Sequence, residues 1–190
     1  MLKQQYLPWE NYPKKLNHQQ IVKPLTVLAD FFSVDWPDGH EEKLEAWRYF
    51  VKHDKSYEDS DNGPGSILFI YDLNIKLLEA AYLLCYGVGD KDSNRKSNPY
   101  APIEVEKIVL ANLSHKEIVD PYLALQAIFK KTGLYQYREY LHEWLYAALY
   151  IKGGADELTR KEIKTVFRRL LKLYAAAWLI YQREVENKSI

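Results

Sequence analysis

The densest concentration of one charge in the chain lies between Arg160 and Lys172, where six basic residues accompany a single acid, Glu162. Lysine and arginine in such a cluster are the side chains that contact the phosphates of nucleic acids and nucleotides. The candidate nucleic-acid-binding or anion-binding residues are Lys161, Lys164, Arg168, Arg169 and Lys172. A solvated helix face is the alternative interpretation, and it is the more common origin of such a cluster.

A carboxylate and an imidazole three positions apart form a second candidate site. Glu139 and His142 would share one face of a helix, the spacing that di-iron helical bundles use for metal ligands. Such a site also needs a second Glu-x-x-His pair, and the residues 97 positions earlier are Glu42 and Glu45. Because the ligand set is incomplete, the sequence predicts no metal site and no cofactor. A small-ligand pocket near Glu139 and His142 stays open as a weaker alternative.

Asn74 interrupts an otherwise apolar helical stripe. A buried amide requires hydrogen-bonding partners, so this side chain either fixes the register between helices or lines a polar pocket. Cys85 ends the same stripe. Nothing near it in sequence would lower the pKa of its thiol, so we expect a small core residue.

Arg48 and His53 have the Arg-x4-His spacing seen in the HEPN family of helical ribonucleases. The resemblance covers six residues, and Tyr49 stands where those enzymes tend to carry a polar residue. We therefore do not assign the chain to that family. The sequence also lacks a phosphate-binding glycine loop, Cys/His zinc spacing, a Gly-x-Ser-x-Gly elbow and a His-Glu-x-x-His motif. These observations favour a protein that is not an enzyme.

The elements that would position these residues belong to an internal duplication. Residues 16–52 align without a gap with residues 113–149, and 11 of the 37 pairs are identical, where chance pairing gives roughly two. A further block aligns at an offset of 96 and ends each copy. We therefore divide a single compact domain of 190 residues into unit one (16–86), a linker (87–102) and unit two (113–186).

Helix starts are indicated by capping boxes, in which an N-cap side chain and the residue three positions later satisfy orphan backbone amides. Three such pairs occur: Asn17 with Gln20, Ser114 with Glu117, and Thr159 with Glu162. In each unit we expect a short first helical turn and then a longer helix.

The hydrophobic periodicity predicts the remaining helices. Apolar residues recur at 3-4 spacing over 163–181, and unit one repeats this stripe over 67–85. Helical spacing also predicts helices over about 40–52 and 135–151. The fold class predicted is all-α, a bundle of about six helices from two tandem units with pseudo-two-fold symmetry. Whether the units pack within one chain or swap between chains stays open.

The composition restricts the classes of partner and compartment. Acidic and basic residues balance at 26 each, so no overall field draws the chain toward nucleic acid or an anionic membrane. The longest apolar run, 173–181, has nine residues, whereas a membrane-spanning helix needs about 20. The single cysteine and the absence of a secretory signal at the start fit a reducing compartment. We expect a soluble, cytoplasmic protein with no membrane partner.

The chain is rich in aromatic residues, with 16 Tyr, 5 Trp and 6 Phe. Tyrosine and tryptophan combine an apolar body with a polar tip, which suits contact surfaces. The sequence does not determine a function, and it favours a non-enzymatic protein-interaction or regulatory module that binds a protein partner or itself. Nucleic-acid binding or processing through residues 160–172 is the alternative, and a small-ligand or metal pocket between the units is the weaker one.

Overall fold

The computed structural model describes residues 9–53, 64–87, 111–149 and 159–186. These ranges contain a 3-10 turn (Trp9–Asn11) and eight α-helices: α1 His18–Val22, α2 Leu25–Val34, α3 Pro37–His53, α4 Pro64–Tyr86, α5 His115–Val119, α6 Pro121–Phe129, α7 Leu134–Leu149 and α8 Arg160–Glu184. No strand occurs among these residues. The all-α prediction is confirmed, and the count of eight includes two five-residue helices, α1 and α5.

Capping boxes begin three of the helices, as predicted. At each start the N-cap backbone N–H donates to the side chain of the residue three positions later, over 2.8–3.1 Å, and the pairs are Asn17–Gln20, Ser114–Glu117 and Thr159–Glu162. These bonds fix where α1, α5 and α8 begin because the first amides of a helix have no intrahelical partner.

The two long helices are enclosed by helices from both halves of the chain. Helix α8 packs on α2 and α3 as well as on α6, and α4 packs on α6 and α7 as well as on α2. Helices α3 and α8 run antiparallel, since Trp36 meets Trp178 whereas Arg48 meets Phe167. The two halves therefore share one core and are not separate bodies.

One buried hydrogen bond occurs twice at a separation of 97 residues. His40 Nε2 lies 2.9 Å from the carbonyl oxygen of Phe31, and Tyr137 Oη donates over 3.1 Å to the carbonyl oxygen of Ile128. In each case a side chain in the first turn or two of a long helix, α3 or α7, is tied to the helix before it. In both halves, this bond joins two successive helices next to the turn between them.

A continuous apolar cluster fills the space between the helices. Trp47 of α3 and Trp144 of α7 lie at its centre with no exposed surface. Gly87 ends α4 with φ 66°, a left-handed conformation that favours glycine. The remaining residues of the predicted linker lie outside the described ranges. None of the helices that the structure describes is long and apolar enough to cross a bilayer.

Candidate interaction surfaces

The structure divides the predicted basic cluster on α8 into exposed and engaged residues. Lys161, Lys164 and Arg168 are exposed. The guanidinium of Arg169 instead donates to the hydroxyl of Thr132, between α6 and α7. Lys172 Nζ lies 2.6 Å from a carboxylate oxygen of the buried Glu117.

Lys172 has a structural role through its contact with Glu117. Burial alone would raise the pKa of Glu117, but hydrogen bonds from Lys172 and Ser114 lower it below its usual value. Glu117 therefore joins α8 to the capping box of α5. This contact leaves three of the five predicted residues available to a ligand.

Helix α3 places one cation, Arg48, against α8 and carries a second, Lys52, one turn further along. The guanidinium carbon of Arg48 lies 4.1 Å from the centroid of the Phe167 ring, a cation–π contact, and Arg48 also pairs with Glu45. Lys52 follows one turn later on α3 and is exposed. We define the basic face as Lys161, Lys164 and Arg168 of α8 with Arg48 and Lys52 of α3. Among the described residues, no acid forms an ion pair with the three α8 members.

Asn74 is buried between α4 and α8, with 2% of its surface exposed. Tyr174 Oη donates to its amide oxygen over 2.6 Å, and its amide nitrogen donates to the carbonyl of Ile70 over 2.9 Å. Burial raises the pKa of Tyr174, so its hydroxyl stays protonated and donates. The amide thus pairs two helices.

The other two pocket candidates lie on a different surface. Glu139 and His142 are exposed on α7, and His142 Nδ1 is 4.0 Å from the carboxylate of Glu143. The structure does not bring them together with the buried Asn74. Within the described ranges, no three His, Cys, Asp or Glu side chains are placed to hold a metal ion.

A buried ion pair, which the sequence analysis did not identify, joins α4 to α7. Glu79 has no exposed surface and Arg138 is 8% exposed. Two nitrogens of Arg138, Nε and Nη2, donate to the same carboxylate oxygen of Glu79 over 3.0 and 2.6 Å. Removing either partner would leave a buried charge without its counterion.

The same two side chains hold the segment that precedes α1. The Glu79 carboxylate accepts backbone N–H groups from residues 14, 15 and 16 over 2.8–3.1 Å. Arg138 donates to the carbonyl oxygens of Glu10 and Tyr12 over 2.9 and 2.7 Å. We call residues 10–16 the strap, because these bonds fasten it across both α4 and α7.

Three exposed aromatic side chains lie on the strap, just before it and at the start of α7. Trp9 is 80% exposed, Tyr12 46% and Tyr135 43%. The side-chain oxygen of Asn11 accepts the backbone N–H of Tyr135 over 3.1 Å, which joins the strap to α7 at this point. We define Trp9, Tyr12 and Tyr135 as the aromatic patch.

One sequence signal could have identified Glu79. It is the only charged residue in the run from Leu77 to Tyr86, and an ionised group within an apolar helix is rarely buried unless it is paired. Its partner is 59 positions away and the amides belong to non-helical backbone, so no helical spacing connects them.

The remaining features are one cysteine and two grooves. Cys85 is partly buried, and burial raises the pKa of its thiol to about 11, which keeps it protonated at neutral pH. Two open grooves flank α1 and α2. One is lined by residues that include His18 and Gln20, and the other lies between Pro24 and Glu184.

Comparison with known proteins gave no match to a family model, a curated protein or a solved structure.

Proposed function

We propose that this chain is a non-enzymatic protein-interaction module, built from two copies of one helical unit, which binds its partner through the aromatic patch. The observation that carries the proposal is the exposure of Trp9, Tyr12 and Tyr135 beside a strap that the buried Arg138 holds at the carbonyls of Glu10 and Tyr12. The partner is a protein surface that offers apolar side chains to these rings. This surface can also belong to a second copy of the chain, and the molar mass in solution distinguishes that case from binding to a different protein.

The patch has the composition of an interface hot spot. Tryptophan and tyrosine supply large contact areas with few rotatable bonds, so they dominate the binding energy of many interfaces. Ordering flexible groups on binding costs free energy. Arg138 lowers that cost because it already fixes the carbonyls of Glu10 and Tyr12, on both sides of Asn11.

The two-unit architecture is supported by side chains that recur at the repeat offset. The bond from Tyr137 to the Ile128 carbonyl repeats the bond between His40 and the Phe31 carbonyl. Helices α1 and α5 share capping boxes at the same offset. We propose that the pairs α3/α7 and α4/α8 are related by an approximate two-fold axis. The strap, by contrast, depends on Glu79, whose counterpart in unit two is Ala175.

The experiment compares the wild type with a patch variant, Trp9→Ala/Tyr12→Ala/Tyr135→Ala, and a control variant, Val34→Ala/Tyr49→Ala/Leu123→Ala. The control residues are 39–45% exposed and lie on α2, α3 and α6. Molar mass in solution measures self-association. Affinity capture followed by quantitative mass spectrometry measures partner binding, and circular dichroism checks that all three proteins are folded.

We expect an association that the wild type and the control variant share and the patch variant loses. A loss of dimer mass identifies a second copy of the chain as the partner, and a loss of one captured protein identifies a different partner. Association that is equal in all three proteins contradicts the proposal.

A further inference from the structure

We propose that the basic face binds the phosphate backbone of a nucleic acid. The inference rests on the three exposed cations of α8, on Arg48 of α3, which contacts α8 at Phe167, and on the exposed Lys52 one turn further along α3. The basic face shares no residue with the aromatic patch, so the two proposals can be tested independently.

The spacing of the α8 cations fits a phosphate backbone. Lys161, Lys164 and Arg168 are three and four residues apart, so they rise along the helix by about 4.5 and 6 Å and span about 10.5 Å. One strand of a B-form duplex advances about 3.4 Å per phosphate along its axis. The three side chains therefore span about three successive phosphate steps.

The width of the face comes from the packing of α3 on α8. Neighbouring helix axes lie about 8–10 Å apart, so Arg48 and Lys52 form a second row of cations beside the first. Arg48 contacts the Phe167 ring of α8 and pairs with Glu45, so its guanidinium lies at the contact between α3 and α8. A two-row surface of this kind follows a backbone better than a single helical stripe.

The side chains on the face predict binding that does not depend on base sequence. The Phe167 ring is only 9% exposed and lies under Arg48, so it cannot stack on a base. Contacts made only to phosphates position a protein without reading sequence. We therefore expect similar affinity for oligonucleotides of different base composition.

The experiment measures fluorescence anisotropy of a labelled 20-base-pair duplex of A·T pairs and of a mixed-sequence duplex of the same length, between 50 and 200 mM salt. The test variant is Lys161→Glu/Lys164→Glu/Arg168→Glu. The charge-matched control is Lys14→Glu/Lys23→Glu/Lys116→Glu, at three exposed lysines outside the basic face. Both variants change the net charge equally, so a general electrostatic effect would reduce binding in both.

The slope of log K against log salt should be shallower by about 2.7 in the test variant than in the wild type, since each of the three α8 cations contributes about 0.9 on a B-form duplex. The test variant should lose about 500-fold in affinity at 0.1 M salt, which is the corresponding counterion-release contribution. The control variant should stay within about threefold of wild type because distant charges are screened. Should the Glu variant lose its helical circular dichroism, Lys161→Gln/Lys164→Gln/Arg168→Gln replaces it, with an expected loss of at least about 10-fold.

Three results would overturn the inference. They are an absence of wild-type binding at 50 mM salt, equal losses in the test and control variants, and binding to heparin without binding to either oligonucleotide. The last result would assign the face to a different class of polyanion.

Discussion

Trp47 and Trp144 meet at the centre of the bundle, edge to face, with ring centroids 5.5 Å apart and planes at 89°. The indole N–H of Trp47 donates over 3.1 Å to the backbone carbonyl of Trp144, the residue 97 positions later. The indole N–H of Trp144 has no hydrogen-bond partner among the described residues. Two residues at matching repeat positions thus occupy different hydrogen-bonding environments.

This difference predicts unequal effects of the same substitution. Trp47→Phe removes ring area and a buried hydrogen bond, whereas Trp144→Phe removes ring area and an indole N–H that has no partner among the described residues. We expect Trp47→Phe to lower the free energy of unfolding by about 1 kcal/mol more than Trp144→Phe, the net contribution of one hydrogen bond. Urea unfolding followed by far-ultraviolet circular dichroism measures both values. Equal losses would show that the Trp47 bond contributes nothing.

The pair of Asn74 and Tyr174 predicts strong coupling between α4 and α8. Tyr174→Phe leaves the buried amide oxygen of Asn74 without its donor, and Asn74→Leu leaves the Tyr174 hydroxyl without its acceptor. Each change should cost about 1–3 kcal/mol. The double variant removes both polar groups, so it should cost less than the sum of the single changes. A double-mutant cycle from urea unfolding measures this coupling, and additive losses would contradict it.

Arg138→Met should release the strap. Removing one partner of a buried ion pair typically costs about 3–5 kcal/mol because the remaining charge is uncompensated. Trypsin should then cleave after Lys14 or Lys15 sooner than in the wild type, since the variant loses the bonds from Arg138 to the Glu10 and Tyr12 carbonyls and to the Glu79 carboxylate that holds the amides of this segment. The rate of appearance of the fragment, followed by mass spectrometry, measures the release.

Asp72→Asn is the matched control for that change. It removes the 2.9 Å contact with Lys15 Nζ, in which both side chains are about half exposed. Exposed pairs contribute about 0–1 kcal/mol, so the strap should stay in place. Cleavage of Arg138→Met at the wild-type rate would mean that other contacts hold the segment.

His40 predicts a loss of stability in mild acid. Burial lowers its pKa below the ordinary value of 6.5, against the opposing effect of its bond to the Phe31 carbonyl. The unfolded chain therefore takes up a proton at His40 below pH 6.5, while the folded protein does not until the pH falls through the lower folded-state pKa. Stability should be complete above pH 6.5 and should decline below it.

His40→Gln keeps a donor for the Phe31 carbonyl and removes the titration. The urea midpoint of the wild type should therefore fall more between pH 7 and pH 5.5 than that of the variant. Asp35 and Lys43 lie beside His40 and form a pair at 2.6 Å. This pair lowers the pKa of Asp35, so Asp35 stays ionised throughout that interval. Parallel midpoints for the two proteins would contradict the assignment.

The helices could be predicted because their patterns are local. The capping boxes at Ser114 and Thr159 mark the starts of α5 and α8, and the apolar stripe of α8 follows directly from 3.6-residue periodicity. Asn74 could be identified from the sequence as a buried amide that needs hydrogen-bonding partners, because it interrupts such a stripe. Its partner, Tyr174, could not be identified, because its ring fits the apolar stripe of α8 and the periodicity does not reveal the role of its hydroxyl.

The basic face and the strap could not be predicted from the sequence, because they depend on contacts between residues that are distant in the chain. Lys161 and Lys172 look equivalent on a helical wheel, yet only Lys172 lies beside Glu117, a residue of another helix. The strap is fixed by non-local bonds to Glu79 and Arg138, which are 59 residues apart. Such relationships arise when distant helices pack, so they become visible only in the folded chain.

Glu79 and Arg138 contact the strap only through its main-chain amides and carbonyls. These two side chains therefore recognise the path of the backbone, and only the exposed side chains along it, such as Glu10, Tyr12 and Lys14, can differ without disturbing a buried contact. Substitutions at Glu10, Tyr12 or Lys14 should therefore leave the strap seated, whereas inserting or deleting one residue within it would put several amides out of register at once. For protein engineering, this makes the strap a place where new side chains can be displayed without redesigning the bundle beneath them.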